Sequence, residues 1–179
     1  MTGRLPGMLT AAVLAVLSVP ASARADSFGS AGPFALGIVV GEPTGVSGKL
    51  FLDRGTHAID FGIGFGSGYY DDHGTRVHAD YLWHPSVVAS NRTFDLPFYV
   101  GVGALLGNAR HMGYRDRGQL GVRLPIGLDM YFRQAPIDVF FELALATNLL
   151  PHSDPCDAPD YYCGNRAWLE ASLGARYSF

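Results

Sequence analysis

Apolar and polar positions alternate along most of the chain, in short runs separated by clusters of Gly, Asp, Asn and Pro. A period of two sends successive side chains to opposite faces of a β-strand. Eight runs carry that pattern. The first, Phe34 to Gly41, sets Phe34, Leu36, Ile38 and Val40 on one face. The second, Thr44 to Leu52, opposes Val46, Leu50 and Leu52 to Ser47, Lys49 and Phe51. The third, His57 to Gly66, opposes Ile59, Phe61, Ile63 and Phe65 to Asp60 and three glycines. The fourth, Arg76 to His84, opposes Val77, Ala79, Tyr81 and Trp83 to His78, Asp80 and Leu82. The fifth, Leu96 to Gly107, opposes Phe98, Val100, Val102 and Leu106 to Tyr99, Gly101 and Gly103. The sixth, Gln119 to Phe132, opposes a row from Leu120 to Phe132 to Gln119, Arg123, Asp129 and Tyr131. The seventh, Ile137 to Asn148, opposes Ile137, Val139, Phe141, Leu143 and Leu145 to Asp138, Glu142 and Asn148. The eighth, Arg166 to Phe179, opposes Leu169, Leu173, Ala175, Tyr177 and Phe179 to Trp168, Glu170 and Arg176. Long helical periodicity is absent, so the pattern predicts an all-β domain.

In every run one face is free of Lys, Arg, Asp and Glu, while the other gathers charges and glycines. That polarity suits a barrel with lipid outside and a polar interior. The predicted fold is an eight-stranded antiparallel up-and-down transmembrane β-barrel. A soluble lipocalin-like carrier shares strand number and meander, and alternation alone does not separate the two. Glycines on the presumed inner face favour the membrane reading, because a narrow barrel needs space and bending there. Loop lengths agree in part. Asp53–Thr56 and Arg133–Pro136 are short and fall at one end. The connections 66–75, 108–118 and 147–165 are long and fall at the other. Glu42-Pro43 is short for the long-loop end, and His84–Asp95 reads as a long turn at the short-loop end. Phe34, Trp83, Phe98, Phe132, Tyr177 and Phe179 gather at that short-loop end, as an interfacial girdle does.

The N-terminus reads as a secretory signal, residues 1–25. Arg4 precedes an apolar run from Met8 to Val19, and Ala23-Arg24-Ala25 supplies a cleavage site before Asp26. The run is shorter than the roughly 20 residues a spanning helix needs. The barrel domain is then 26–179, a single domain's length. A net charge of −3 gives no basic footprint for nucleic acid.

Three features carry a resemblance. The ending, with Leu173, Ala175, Tyr177 and a terminal Phe179, resembles the C-terminal assembly signal of bacterial outer-membrane barrels. The whole mature chain is similar to the small eight-stranded outer-membrane barrels, the class of OmpX and the OmpA membrane domain. More narrowly, G-E-P-T-G-V-S-G-K (Gly41 to Lys49), H-A-D-Y-L-W-H (His78 to His84) and G-V-R-L-P-I-G-L (Gly121 to Leu128) resemble a family of bacterial outer-membrane barrels of uncharacterised function. The resemblance implies outer-membrane lipids and the barrel-assembly machinery as partners, a bacterial outer-membrane location and a monomer. It implies no chemistry, because this fold hosts adhesins, stability factors and lipid-modifying enzymes alike.

The candidate chemistry lies on the inner face. Lys49, Asp60, His78, Asp80, Arg123, Asp129, Asp138, Glu142, Glu170 and Arg176 are expected to form an interior polar network. Charges in a low-dielectric interior must be paired, and eight strands leave room only for side chains or a small ligand. A plugged core is therefore favoured over a pore or proton path. His78 and Asp80 also read as the acid/base pair of an acyltransferase or deacylase. That chemistry needs a Ser nucleophile within reach of the His. Ser47 is the one inward candidate, reachable on the sequence reading only through barrel closure. Cys156 and Cys163, the only cysteines, lie in the longest loop and read as a loop-closing disulfide in an exported chain. Two thiols are too few for a metal centre, and no metal or cofactor is expected. Tyr69, Tyr70, Tyr161 and Tyr162 in the long loops suit contact with a surface ligand.

Overall fold

The computed structural model describes residues 33–66, 74–109, 117–150 and 167–179. Eight antiparallel strands close into one barrel: β1 (Phe34–Gly41), β2 (Thr44–Leu52), β3 (His57–Gly66), β4 (Gly74–Ser90), β5 (Phe94–Ala109), β6 (Arg117–Phe132), β7 (Ile137–Asn148) and β8 (Ala167–Ser178). Each strand pairs with its sequence neighbours. The seam is β1 against β8, with Leu36 opposite Tyr177 and Val40 opposite Leu173. The backbone N–H of Phe179 donates to the carbonyl of Phe34 at 2.8 Å, so the last residue is tied to the first strand.

The predicted faces are the observed ones. Ile38, Ile63, Phe65, Leu106 and Leu173 are all more than half exposed, Phe65 at 70%. Lys49, Asp60, Asp80, Arg123, Asp129 and Asp138 are buried. Folded soluble chains rarely leave so continuous an apolar surface facing water. A charged core inside an apolar shell is stable when the surrounding solvent is hydrocarbon. At the short-loop end the girdle aromatics touch: Phe34 stacks on Phe61 and Phe179, with centroids 6.2 and 6.3 Å apart, and Tyr177 meets Phe179 edge-on at 5.1 Å.

One connection differs from the sequence reading. His84–Asp95 is not a long turn. β4 runs on to Ser90 and β5 begins at Phe94, and the side chain of Asn91 closes the turn by accepting from the N–H groups of Thr93 and Phe94 at 2.7 and 2.9 Å. Pro85 suggests a break but makes none. His84 N–H bonds toward β3, to the Thr56 carbonyl, so the amide position of Pro85 faces β5, inside the register shift between Trp83 and Ser86 where that ladder is already interrupted. Two register shifts, at Trp83/Ser86 and Val87/Ala89, accommodate it. The resulting 17-residue strand exceeds the roughly 9–11 residues that cross a bilayer, so the β4–β5 hairpin projects beyond the belt. The β2–β3 and β6–β7 connections are short as expected, and β1–β2 is only Glu42-Pro43, which stays short for the long-loop end. The long loops, the signal segment 1–25, Cys156 and Cys163, and Tyr69, Tyr70, Tyr161 and Tyr162 lie outside the described residues.

Candidate functional site

The interior contains two linked polar clusters, and the strand register explains both. One row of inward positions runs Lys49, Asp60, Asp80, Gly103, Arg123 across β2 to β6. Gly103 lies between Asp80 and Arg123. A Cβ there would run into Asp80 Oδ1, so the glycine is what lets the two side chains meet over β5. Arg123, 1% exposed, donates Nη1 to Asp80 Oδ2, Nη2 to Glu142 Oε1 at 2.6 Å and Nε to Glu170 Oε2 at 2.9 Å. One guanidinium thus joins β4, β7 and β8 through β6. Its planar fork of donors suits that task, where an ammonium would not. Tyr99 Oη donates to Glu142 at 2.8 Å, and Trp168 Nε1 and Arg76 Nη1 donate to Glu170 at 2.8 and 3.3 Å.

A second row runs Asp138, Arg176, Gly37, Ser47, Gly62, His78. Gly37 again separates two partners. Arg176 reaches past it to Ser47 Oγ at 2.9 Å and to Asp60 Oδ1 at 2.5 Å. Its Nη1 lies 3.8 Å from Asp129 Oδ1 and 3.7 Å from Asp138 Oδ1, and its guanidinium stacks 3.8 Å above the Phe140 ring. Lys49 binds Asp129 and lies among the rings of Phe51, Tyr99 and Tyr131, at 4.9 to 5.9 Å. Tyr131 Oη donates to Asp129 at 2.9 Å. The lumen is crossed by side chains at both levels. Ala58, Leu82 and Tyr99 pack together with Phe51, and Ala58 and Leu82 lie on the short-loop side of Asp60 and Asp80.

All ten residues of the expected network are buried and face inward. The sequence reading missed two more, Arg76 and His84. Arg76 shares the parity of His78 and Asp80, so the period of two already points it inward. His84 closes the fourth run and opens the expected turn in the sequence reading, without an inward role; in the structure it lies within β4 with Nε2 3.4 Å from Asp129 Oδ2. Ser47 also needs correction. It does not depend on barrel closure to approach β4, since only Gly62 separates it from His78 in the row. Its hydroxyl is engaged by Arg176, and no hydrogen bond joins it to His78 among the described residues. His78 Nε2 instead faces Asp60 Oδ2 at 3.7 Å. Among the described residues, four buried cations, Lys49, Arg76, Arg123 and Arg176, meet six buried carboxylates. With both histidines neutral and all six carboxylates ionised, the core would carry two excess negative charges.

A closed antiparallel sheet of eight strands with this polarity settles the architecture. The fold is that of the small eight-stranded outer-membrane barrels. Three solved structures are similar to it. The N-terminal β-barrel domain of Pseudomonas aeruginosa OprF is 17% identical, with TM-score 0.48, over 82% of this chain and 94% of that one. Neisserial surface protein A is 11% identical, with TM-score 0.49, over 84% and 99%. Ail, the attachment invasion locus protein of Yersinia pestis, is 15% identical, with TM-score 0.33, over 82% and 93%. Identities this low compare folds alone, and the architecture here rests on the strand pairing itself. No family model and no curated protein matches the chain, so the narrower resemblance of the segments at Gly41, His78 and Gly121 gains no support.

Proposed function

We propose that this chain is an integral barrel of the bacterial outer membrane, monomeric, with a closed interior and a structural or surface-binding role. The observation that carries the reading is the Arg123 junction: one side chain spans the lumen and satisfies carboxylates from three other strands. A group placed there blocks a path for ions. The charge-free outer face requires hydrocarbon as its solvent, and among bacterial membranes the outer one holds barrels of this kind. Outer-membrane lipid is then its immediate partner, the barrel-assembly machinery its route there, and the long loops its means of meeting a surface ligand.

Catalysis by His78 and Asp80 is the less favoured reading. Both groups face the lumen rather than lipid, Asp80 is held by Arg123, and Ser47 is held by Arg176. A carrier of the lipocalin kind needs a polar exterior, which the belt contradicts. Planar-bilayer recording tests the closed interior. No sustained current of porin size is expected, and a steady open channel would overturn the proposal. Recovery of the protein as a soluble periplasmic monomer without detergent would overturn the membrane assignment.

A further inference from the structure

The two polar clusters, each with one more carboxylate than cations, meet where Asp60 and Asp80 face each other. Asp60 and Asp80 are direct cross-strand partners on the inner faces of β3 and β4. Like charges facing each other across a sheet are destabilising, and burial makes them more so. His78 is the next inward residue of β4. One donor atom from each of Asp60, His78 and Asp80 lies within 4.8 Å of the other two.

We infer that Asp60, His78 and Asp80 form a binding site for one divalent cation, held inside the barrel wall. Each carboxylate already divides its work. Asp60 gives Oδ1 to Arg176 and turns Oδ2 toward His78 Nε2 at 3.7 Å. Asp80 gives Oδ2 to Arg123, and its Oδ1 is buried with no hydrogen-bond partner. That orphaned oxygen belongs to a residue only 1% exposed, and such groups are rarely left unmatched. Two ligands on one ion, each at about 2.0–2.2 Å, stand apart by a distance close to that between Asp60 Oδ2 and His78 Nε2. The two arginines then hold the outer oxygens of the ligating carboxylates, as donors behind the ligands do in built metal sites.

The surrounding wall is shaped for these side chains. Gly62 faces His78 in register, and a Cβ there would meet the imidazole. Gly103 faces Asp80, and a Cβ there would meet its carboxylate. Two carboxylate oxygens with one imidazole nitrogen favour a borderline to hard ion, Zn²⁺ or Mn²⁺ before Ca²⁺. A charge of +2 matches the excess of the core. Two protons would match it as well, and the experiment separates the two. The inference stands apart from the closed-pore proposal, because metal content is measured independently of current.

The test uses the full mature chain folded in detergent, stripped with a chelator and dialysed free of it. Zn²⁺ alone is titrated by calorimetry, and bound metal is counted by mass spectrometry. One Zn²⁺ per barrel is expected. His78→Ala should weaken binding at least about 100-fold, beyond the 10–100-fold that loss of a mere orienting group costs, while Glu142→Gln should change it only a few-fold. A folded barrel that binds no Zn²⁺ would show that protons fill the role. Equal binding by His78→Ala would place any zinc elsewhere. Should that variant not fold, Co²⁺ added to the wild type decides the matter by NMR. A paramagnetic shift of the His78 ring, with His84 little affected, supports the site; the opposite pattern overturns it.

Discussion

Replacing Arg123 with Ala removes one guanidinium and leaves Asp80, Glu142 and Glu170 without their shared donor. All three carboxylates are at most 3% exposed, so water replaces the lost bonds poorly. Breaking a buried ion pair costs roughly 3–5 kcal/mol, because a charge is left uncompensated. Three carboxylates share the loss, yet Tyr99, Trp168 and Arg76 still donate to two of them. That keeps the expected cost near the single-pair figure, about 3–5 kcal/mol, rather than three times it. The neighbouring residue on the opposite face is the control. Val122 points to lipid, and Val122→Ala should stay within about 0.5 kcal/mol. Arg123→Lys keeps the charge but cannot span three acceptors, and should fall between the two. Urea unfolding in detergent micelles, followed by tryptophan emission, measures all three. Trp168 donates to Glu170 inside the same cluster, so its spectrum also reports the network in the folded state. An Arg123→Ala barrel within about 1 kcal/mol of the Val122→Ala barrel, the range of ordinary substitutions, would refute the reasoning and mean that water already fills the lumen.

Gly103→Ala should destabilise by about 1–3 kcal/mol, the usual cost of overpacking, since its methyl displaces Asp80 from Arg123. At Gly118 an added methyl would meet only Leu150 Cδ1, 4.0 Å away, so Gly118→Ala should be close to neutral in the same urea titration. Deleting Phe179 should reduce the amount of protein in outer-membrane fractions far more than it lowers stability after refolding in detergent; normal membrane levels would mean that the terminal pattern is coincidental. Cys156 and Cys163 should be disulfide-bonded in the purified protein, and reduction should leave the barrel folded. Thiol labelling and gel mobility check both, and unfolding by reductant alone would contradict the expectation.

The barrel is legible in the sequence because its two solvents impose opposite demands on alternate residues. Wherever that contrast holds, from Phe34 through Ser178, strand, face and neighbour follow from a period of two. It fails at Pro85, where a proline and two polar neighbours imitate a turn. The missing N–H of Pro85 faces β5 within the register shift between Trp83 and Ser86, and a bulge of that kind is not visible in local composition. The charged core is legible as a set of inward residues. The pairings are not, since they depend on shear: Arg123 reaches Asp80 over Gly103, and Arg176 reaches Ser47 over Gly37. A sequence shows those glycines only as small residues, without saying whose side chains cross them. The meeting of Asp60 with Asp80 is hidden for the same reason.

The seam between β1 and β8 bears on the order in which the barrel can be made. Arg176 and Glu170 enter the core only with the last strand. Before that strand docks, Asp60 and Ser47 lack Arg176, and Arg123 lacks one of its three acceptors. A seven-stranded intermediate in hydrocarbon would therefore carry open backbone edges and unmatched charges together. Such a species is costly, so insertion and closure should proceed as one cooperative event. The bonds of Arg176 to Ser47 and Asp60 join residues 129 and 116 positions apart, a topology that folds slowly when unassisted. Arg176 thus acts as a latch, engaged by the same step that removes the sheet's last free edge.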